Sequence, residues 1–298
     1  MHDVFVLDGA RHIRLDVERL AARAEAFDVE PYPRLQPFPK IDRAIAEALA
    51  RPVGAAPLRE LARGARRVVV AIPDGTRPCP TFLLLPAVLD ELNAAGVDDA
   101  QIHVLVACGV HRVTTAEEKA TLAGQAASSR VAVADAQGLR QVNVFLNQTR
   151  HRAPVFMNLG LARADLVVAL GIVEPHLYAG FSGGAKTVAI GCAGARTIAW
   201  THDPRFLDQP GVELGRLAGN PFQETVREIA GRTALRFALD AVVDERGHAA
   251  AGGPRAPPPP RLAAHRGGAL RPRHRRPAGP QARESLSGDA RGHLPGAR

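Results

Sequence analysis

Lys186 ends the run GIVEPHLYAGFSGGAK, residues 171–186, and is one of three lysines in a chain with 38 lysines and arginines together. A chain that writes nearly every cation as arginine, yet keeps a lysine behind a glycine-rich loop, points to a need for an amine. Arginine stays protonated, whereas a desolvated lysine can lose its proton and act as a nucleophile. Two histidines bracket it, His176 ten residues before and His202 sixteen after. A third, His111, lies in Gly109-Val110-His111-Arg112. Imidazoles move protons near neutral pH, so His111 and His176 together could serve acid–base chemistry, although each alone reads as an ordinary polar loop residue. Asp74-Gly75-Thr76-Arg77-Pro78 adds a carboxylate, a hydroxyl and a guanidinium. That set suits a phosphate or carboxylate group, with Arg77 as a bidentate clamp, and it suits equally a capped turn with a surface arginine.

Other chemistries fit less well. Gly180 to Lys186-Thr187 nearly matches the phosphate-cradling GxxxxGK[ST] loop, but Ala185 stands where that motif has glycine. A nucleotide hydrolase therefore remains an alternative. No HExxH-like spacing occurs, and one histidine cannot hold zinc by itself. If His202 binds a metal, the remaining ligands must come from a cofactor. Otherwise it is a helix-end histidine favoured by the helix dipole. Cys79, Cys108 and Cys192 are odd in number with no CxxC pair, so they read as small core hydrophobes.

These residues need strands and helices to position them. Runs at 66–73, 102–107, 131–134, 166–170 and 235–243 predict strands. Helices are predicted over about 80–95, after Arg112 with Thr114 and Glu117 spaced as a capping box, over 187–200, and from Asn220-Pro221. The alternation predicts an α/β fold, a mostly parallel sheet with helices on both faces. In such sheets ligands bind beyond the carboxyl ends of the strands. The three polar clusters at 74–78, 109–112 and 174–186 all fall there.

The formal charge of +8 is not spread evenly. Residues 248–298 hold ten arginines against Glu284 and Asp289, so residues 1–247 balance at zero with 28 bases and 28 acids. The basic character belongs to the carboxyl end, and no specific nucleic-acid partner is expected. That end has no Ile, Val, Phe, Tyr or Trp and contains Pro257–Pro260. It reads as a disordered Arg/Pro/Ala/Gly tail of the kind an out-of-frame GC-rich gene would encode. The expected division is thus a catalytic, cofactor-binding α/β domain over 1–247 and a tail over 248–298, a possible frameshift product. The amino end has no signal-peptide pattern and no apolar run long enough to span a bilayer, so a cytoplasmic protein with no membrane partner is expected.

IPDGTRPCP, GVHR and GIVEPHLYAGFSGGAK, with a downstream histidine, resemble the nickel-dependent lactate racemase family. The resemblance runs from about residue 60 to residue 243, and the EPH…GFSGGxK segment is its specific part. It implies a racemase or epimerase of a lactate-like 2-hydroxy acid, acting by proton-coupled hydride transfer to a nickel-pincer nucleotide. That cofactor is a pyridinium-3-thioamide-5-thiocarboxylic acid mononucleotide holding Ni. By the same resemblance Lys186 carries the cofactor covalently, with Gly183 and Gly184 in its loop, and His202 is the protein's nickel ligand. His111 and His176 would be the two acid/base residues, one for each face of the substrate carbon. Asp74, Thr76 and Arg77 would help hold the nucleotide phosphate or the substrate carboxylate. Cofactor-biosynthesis proteins are the implied partners. Family members are longer and carry a second α/β domain, which is missing or scrambled here after Gly247. A truncated remnant that binds cofactor or metal without turnover is therefore the second expectation.

Overall fold

The computed structural model describes residues 40–137 and 142–243 in full. Outside them it describes only the strand backbones Val4–Asp8, Arg11–Leu15, Gln36–Pro37, Ala250–Ala251 and Ala263–His265. Five strands form a parallel sheet: β1 (Val68–Pro73), β2 (Ile102–Ala107), β3 (Ala132–Asp135), β4 (Leu166–Ile172) and β5 (Leu235–Ala241). Their order across the sheet is 5-4-1-2-3, all parallel. Ala263–His265 adds an antiparallel edge to β5.

Each strand falls within a residue or two of its predicted bounds because β-branched runs bounded by turn residues favour extended backbone. β1 is buried along its whole length, as a central strand covered on both sides must be. The period of two divides the core. Val68, Val70 and Ile72 face one layer with Leu84, Leu85, Leu89 and Leu92, whereas Val69 and Ala71 face the other with Val188, Phe222, Val226 and Ile229. The first layer comes mainly from α1 (Ile41–Ala50) and α2 (Thr81–Ala94). The second comes from α4 (Ala185–Ala189), α5 (Ala195–Thr201) and α6 (Pro221–Gly231). Leu89 has no exposed surface. Leu89→Ala should therefore lower stability by about 2–5 kcal/mol, seen as an earlier urea midpoint at unchanged slope.

Two predicted helices differ in detail. The helix after Arg112, α3 (Ala116–Ala123), is capped by Thr115 and Glu118 reciprocally, one residue beyond the predicted pair. The Thr114 hydroxyl instead donates to Asp135 at the end of β3. The helix predicted over 187–200 is broken into α4 and α5 at residues 190–194. A Cβ on Gly191 would sit 2.5 Å from that of Ala107. The backbone there packs directly on β2, so the chain turns and α5 starts in a new direction. An antiparallel hairpin, Asn143–Gln148 with Pro154–Asn158, was not predicted. It braces α5, with Gly194 N–H donating to the Phe156 carbonyl and the Thr197 hydroxyl to that of Pro154.

The expected boundary at residue 247 and most of the expected tail lie outside the described residues. The described parts, Ala250–Ala251 and Ala263–His265, each pair antiparallel with another strand. Ladder hydrogen bonds come from the backbone, so such pairing needs no large side chains. Among the described residues no helix is long and apolar enough to cross a membrane.

Candidate active site

The sheet order places a topological switch point between β1 and β4. From β1 the chain winds outward through β2 and β3, and from β4 it winds the opposite way to β5. Connections diverge there and leave a crevice beyond the strands' carboxyl ends. The loops after β1, β2 and β4 carry the three polar clusters, and they line a cavity of about 570 Å³. Asp74, Thr76, Arg77, His111, His176, Gly183, Lys186 and His202 all reach its wall. Gly184 lies just behind it, buried in the same loop.

Asp74, buried at the end of β1, uses both carboxylate oxygens. Oδ1 accepts from the Thr76 hydroxyl at 2.6 Å and from the Thr76 N–H at 3.2 Å, closing the turn. Oδ2 lies 2.7 Å from His111 Nδ1. A carboxylate can only accept here, so Nδ1 carries hydrogen and neutral His111 presents a lone pair at Nε2. Asp74 and Thr76 therefore fix the orientation of the His111 ring, and Arg77 is the cation of this cluster. Arg77 Nη1 spans the switch point to Glu174 Oε1 at 2.8 Å.

His176 has the opposite polarity. Its Nδ1 accepts from the N–H groups of Tyr178 and Ala179, both at 3.2 Å, so neutral His176 carries its hydrogen on Nε2. Burial pushes its pKa down to about 4, helped by the nearby charges of Lys186, Arg77 and His202. His202 sits at the end of α5, where Nδ1 donates to the Ile198 carbonyl at 3.0 Å. That leaves an Nε2 lone pair, the state a metal-binding imidazole needs. Burial also lowers its pKa, opposed by the Ile198 bond and reinforced by Lys186.

Lys186 projects from the first turn of α4. Burial lowers its amine to about 8, Arg77 pushes the same way and Glu174 opposes. An amine so placed is uncharged far more often than a surface lysine. The phosphate-loop alternative loses its basis in this segment. The Ser182, Gly184 and Lys186 amides donate to Glu174 O, Asp240 Oδ1 and Gly183 O, so they are not turned toward a shared anion.

Four residues in and around the site went unassigned in the sequence. Glu174 pairs with Arg77. Tyr178 and Phe222 pack edge-on or tilted against His176 and His202, with ring centroids 5.4–6.5 Å apart. Asp240 holds the glycine loop from beneath. Glu174 and Tyr178 lie in the segment that carries the family resemblance, and Phe222 follows Asn220-Pro221, whose cap fixes the start of α6. Asn220 Nδ2 also donates to the Tyr178 carbonyl at 2.8 Å, tying α6 to the histidine loop. Cys108 and Cys192 are buried and Cys79 partly so, and burial pushes the Cys79 thiol up to about 12. They behave as packing residues, as expected.

Fold and site together define a doubly wound α/β protein with an amine and three imidazoles at its switch point. Its sequence matches the lactate racemase N-terminal domain over residues 20–215, and the chain belongs to that family. Lactate racemases of Thermoanaerobacterium thermosaccharolyticum and Lactiplantibacillus plantarum are 32% and 33% identical to it over 202 residues, covering 67% of this chain and 47% of each relative. The chain thus spans about half the length of these relatives. The lactate racemase apoprotein structure from T. thermosaccharolyticum superimposes with a TM-score of 0.66 at 25% identity, over 90% of this chain and 59% of that one. A Thermotoga maritima protein shares the fold at a TM-score of 0.54 and 20% identity, over 74% of this chain and 55% of that one.

Proposed function

We propose that this chain forms the cofactor-binding and proton-transfer half of a racemase or epimerase acting on a lactate-like 2-hydroxy acid with a nickel-pincer nucleotide. Support comes from the family membership and from one observation above all. The three imidazoles around Lys186 are held in two states: His111 and His202 with a lone pair at Nε2, and His176 with N–H at Nε2.

The donor set fits the group. Lys186 is an amine with a lowered pKa, suited to covalent attachment. Among the described residues no cluster of three or more His, Cys, Asp or Glu could hold a metal. A metal at His202 would therefore take its other ligands from the bound nucleotide, and imidazole is a ligand that suits nickel. Arg77 would bind an anionic group, nucleotide phosphate or substrate carboxylate, with its planar fork. When bound, the nucleotide supplies an acceptor for the hydrogen on C2 together with its electron pair.

The chain's own residues handle the protons. His111 Nε2 takes the proton of the substrate hydroxyl, and the imidazolium formed faces Asp74 through Nδ1 as an ion pair. His176 presents Nε2–H to the oxygen from another side. Its Nδ1 is occupied by two backbone N–H groups and its site disfavours the charged ring, so it would serve the oxygen as a neutral hydrogen-bond donor. Inversion comes from hydrogen returning to the opposite face of C2, with the proton held on His111 going back to the oxygen. Cofactor-biosynthesis proteins would load the site, and cytoplasmic location follows from that requirement.

The test is loss of optical purity of D-lactate after co-production with the cofactor-biosynthesis proteins. It is run on the 298-residue chain and on a chimera with the C-terminal half of a lactate racemase. Racemisation by the chimera with stoichiometric nickel is expected. No nickel and no racemisation in either protein would refute the reading. Nickel and nucleotide bound without turnover in both would establish the inactive remnant instead.

A further inference from the structure

Asp240 takes no part in the proton chemistry above. It lies near the end of β5, paired in register with Gly171 of β4, and is 1% exposed. Its Oδ1 accepts from Gly184 N–H at 2.9 Å. The loop it holds has a backbone that L-residues avoid, with φ of 86° at Gly183 and 49° at Gly184. The space around the carboxylate is as restricted as the backbone. A Cβ on Gly171 would lie 2.5 Å from Oδ1, and one on Gly183 2.8 Å from it. Gly171, Gly183 and Asp240, on three separate segments, therefore fit only as a set.

The consequence falls two residues further on. Lys186 N–H donates to the Gly183 carbonyl, so the path of the Gly183–Gly184 turn sets the start of α4 and the direction of the lysine stem. We propose that Asp240 is the positioning residue for Lys186, its carboxylate pinning the glycine turn so that the amine stands in the cavity and out of water. The influence is mechanical. The charges that bear on the Lys186 amine are those of Arg77 and Glu174. An uncharged acceptor of the same shape should therefore serve equally well. The importance of this positioning rests on the reading of Lys186 as the attachment amine, but its test does not.

Three lysines make the test direct. The unloaded 298-residue chain is treated with a small amine-acylating reagent across a pH series, and each lysine peptide is quantified by mass spectrometry. Lys40 is exposed and serves as the free-amine reference. Lys119, held by Asp135 Oδ2 and the Thr114 carbonyl, both at 2.6 Å, reports whether the fold is intact. Lys186 in the parent should label with a midpoint of about 8. Asp240→Asn, which keeps the acceptor, should retain that midpoint. Asp240→Val should move it toward the ordinary lysine value of 10.5 while Lys119 stays protected. An unmoved midpoint in Asp240→Val overturns the proposal, and so does Asp240→Asn shifting as far as Val. If Asp240→Val labels Lys119 as fast as Lys40, the variant has unfolded and Gly183→Ala decides. Its Cβ would lie 2.8 Å from both the Asp240 carboxylate and the Ile172 carbonyl, so the turn must leave the carboxylate and the Lys186 midpoint must rise; an unchanged midpoint overturns the proposal. A wrong assignment of the attachment amine would show separately, as unmodified Lys186 in cofactor-loaded protein.

Discussion

Lys186→Arg is expected to abolish the covalent adduct altogether while leaving the fold intact. The substitution keeps a cation of similar length, so packing against the loop changes little. Chemically it removes the one property the site is built around. A guanidinium does not lose its proton, whereas the Lys186 amine, desolvated in the cavity beside Arg77, titrates at about 8 and is partly uncharged at neutral pH. Intact-mass measurement of protein co-produced with the cofactor-biosynthesis proteins should show an adduct on the parent and none on the variant. Digestion should place the parent's added mass on the Lys186 peptide. A parent with full nickel occupancy and an unmodified Lys186 peptide would remove this residue from the mechanism.

The second large effect separates the histidines by role. In the chimera described above, His111→Ala should lower racemisation by ~10²–10⁴-fold, the range typical of a lost general base. Nickel content should not change. His176→Ala should fall in the same range, also with nickel retained. His202→Ala should instead lose nickel, because its Nε2 is the lone pair that its Ile198 hydrogen bond leaves available for a metal. His176 should also leave its own mark on the pH dependence of stability. The His176 pKa is displaced from 6.5 to about 4, so the folded chain resists a proton that the unfolded chain accepts between those values. That term subtracts from stability as pH falls from 6.5 toward 4 and is constant below, and His176→Ala should remove it. Parental racemisation by His111→Ala would show that Asp74 holds His111 for another purpose.

Several features were legible from residue order alone. Each of the five parallel strands is a short β-branched or apolar run ending in turn residues, and such runs have few alternatives to a buried strand. The amine was legible because lysine is rare in this chain and this one closes a glycine loop, and His111 and His176 because each comes shortly after a strand. Asn220-Pro221 announced α6 because a side-chain cap and a first-turn proline act locally. The helix over 187–200 was misread because its break comes from Ala107 on a neighbouring strand, pressing on Gly191. Local propensity contains no such contact. The hairpin over 143–158 was missed for a related reason: its turn uses left-handed φ at Asn147 and Arg152, without the glycine that marks such turns.

Sequence by itself thus determined the fold class, the family and which polar residues line the cavity, since each depends on residue type and short-range spacing. Tertiary structure decided how those groups are held. Asp74 reaches His111 across 37 positions, Glu174 reaches Arg77 across 97, and Asp240 reaches Gly184 across 56. Whether an imidazole presents a lone pair or an N–H is set by the partner of its other nitrogen. For His111 that partner is a carboxylate from another strand end, and the 5-4-1-2-3 winding of the sheet brings the two together. The nitrogen that His111 presents to the cavity is therefore a property of the sheet order, which no local pattern in the chain spells out.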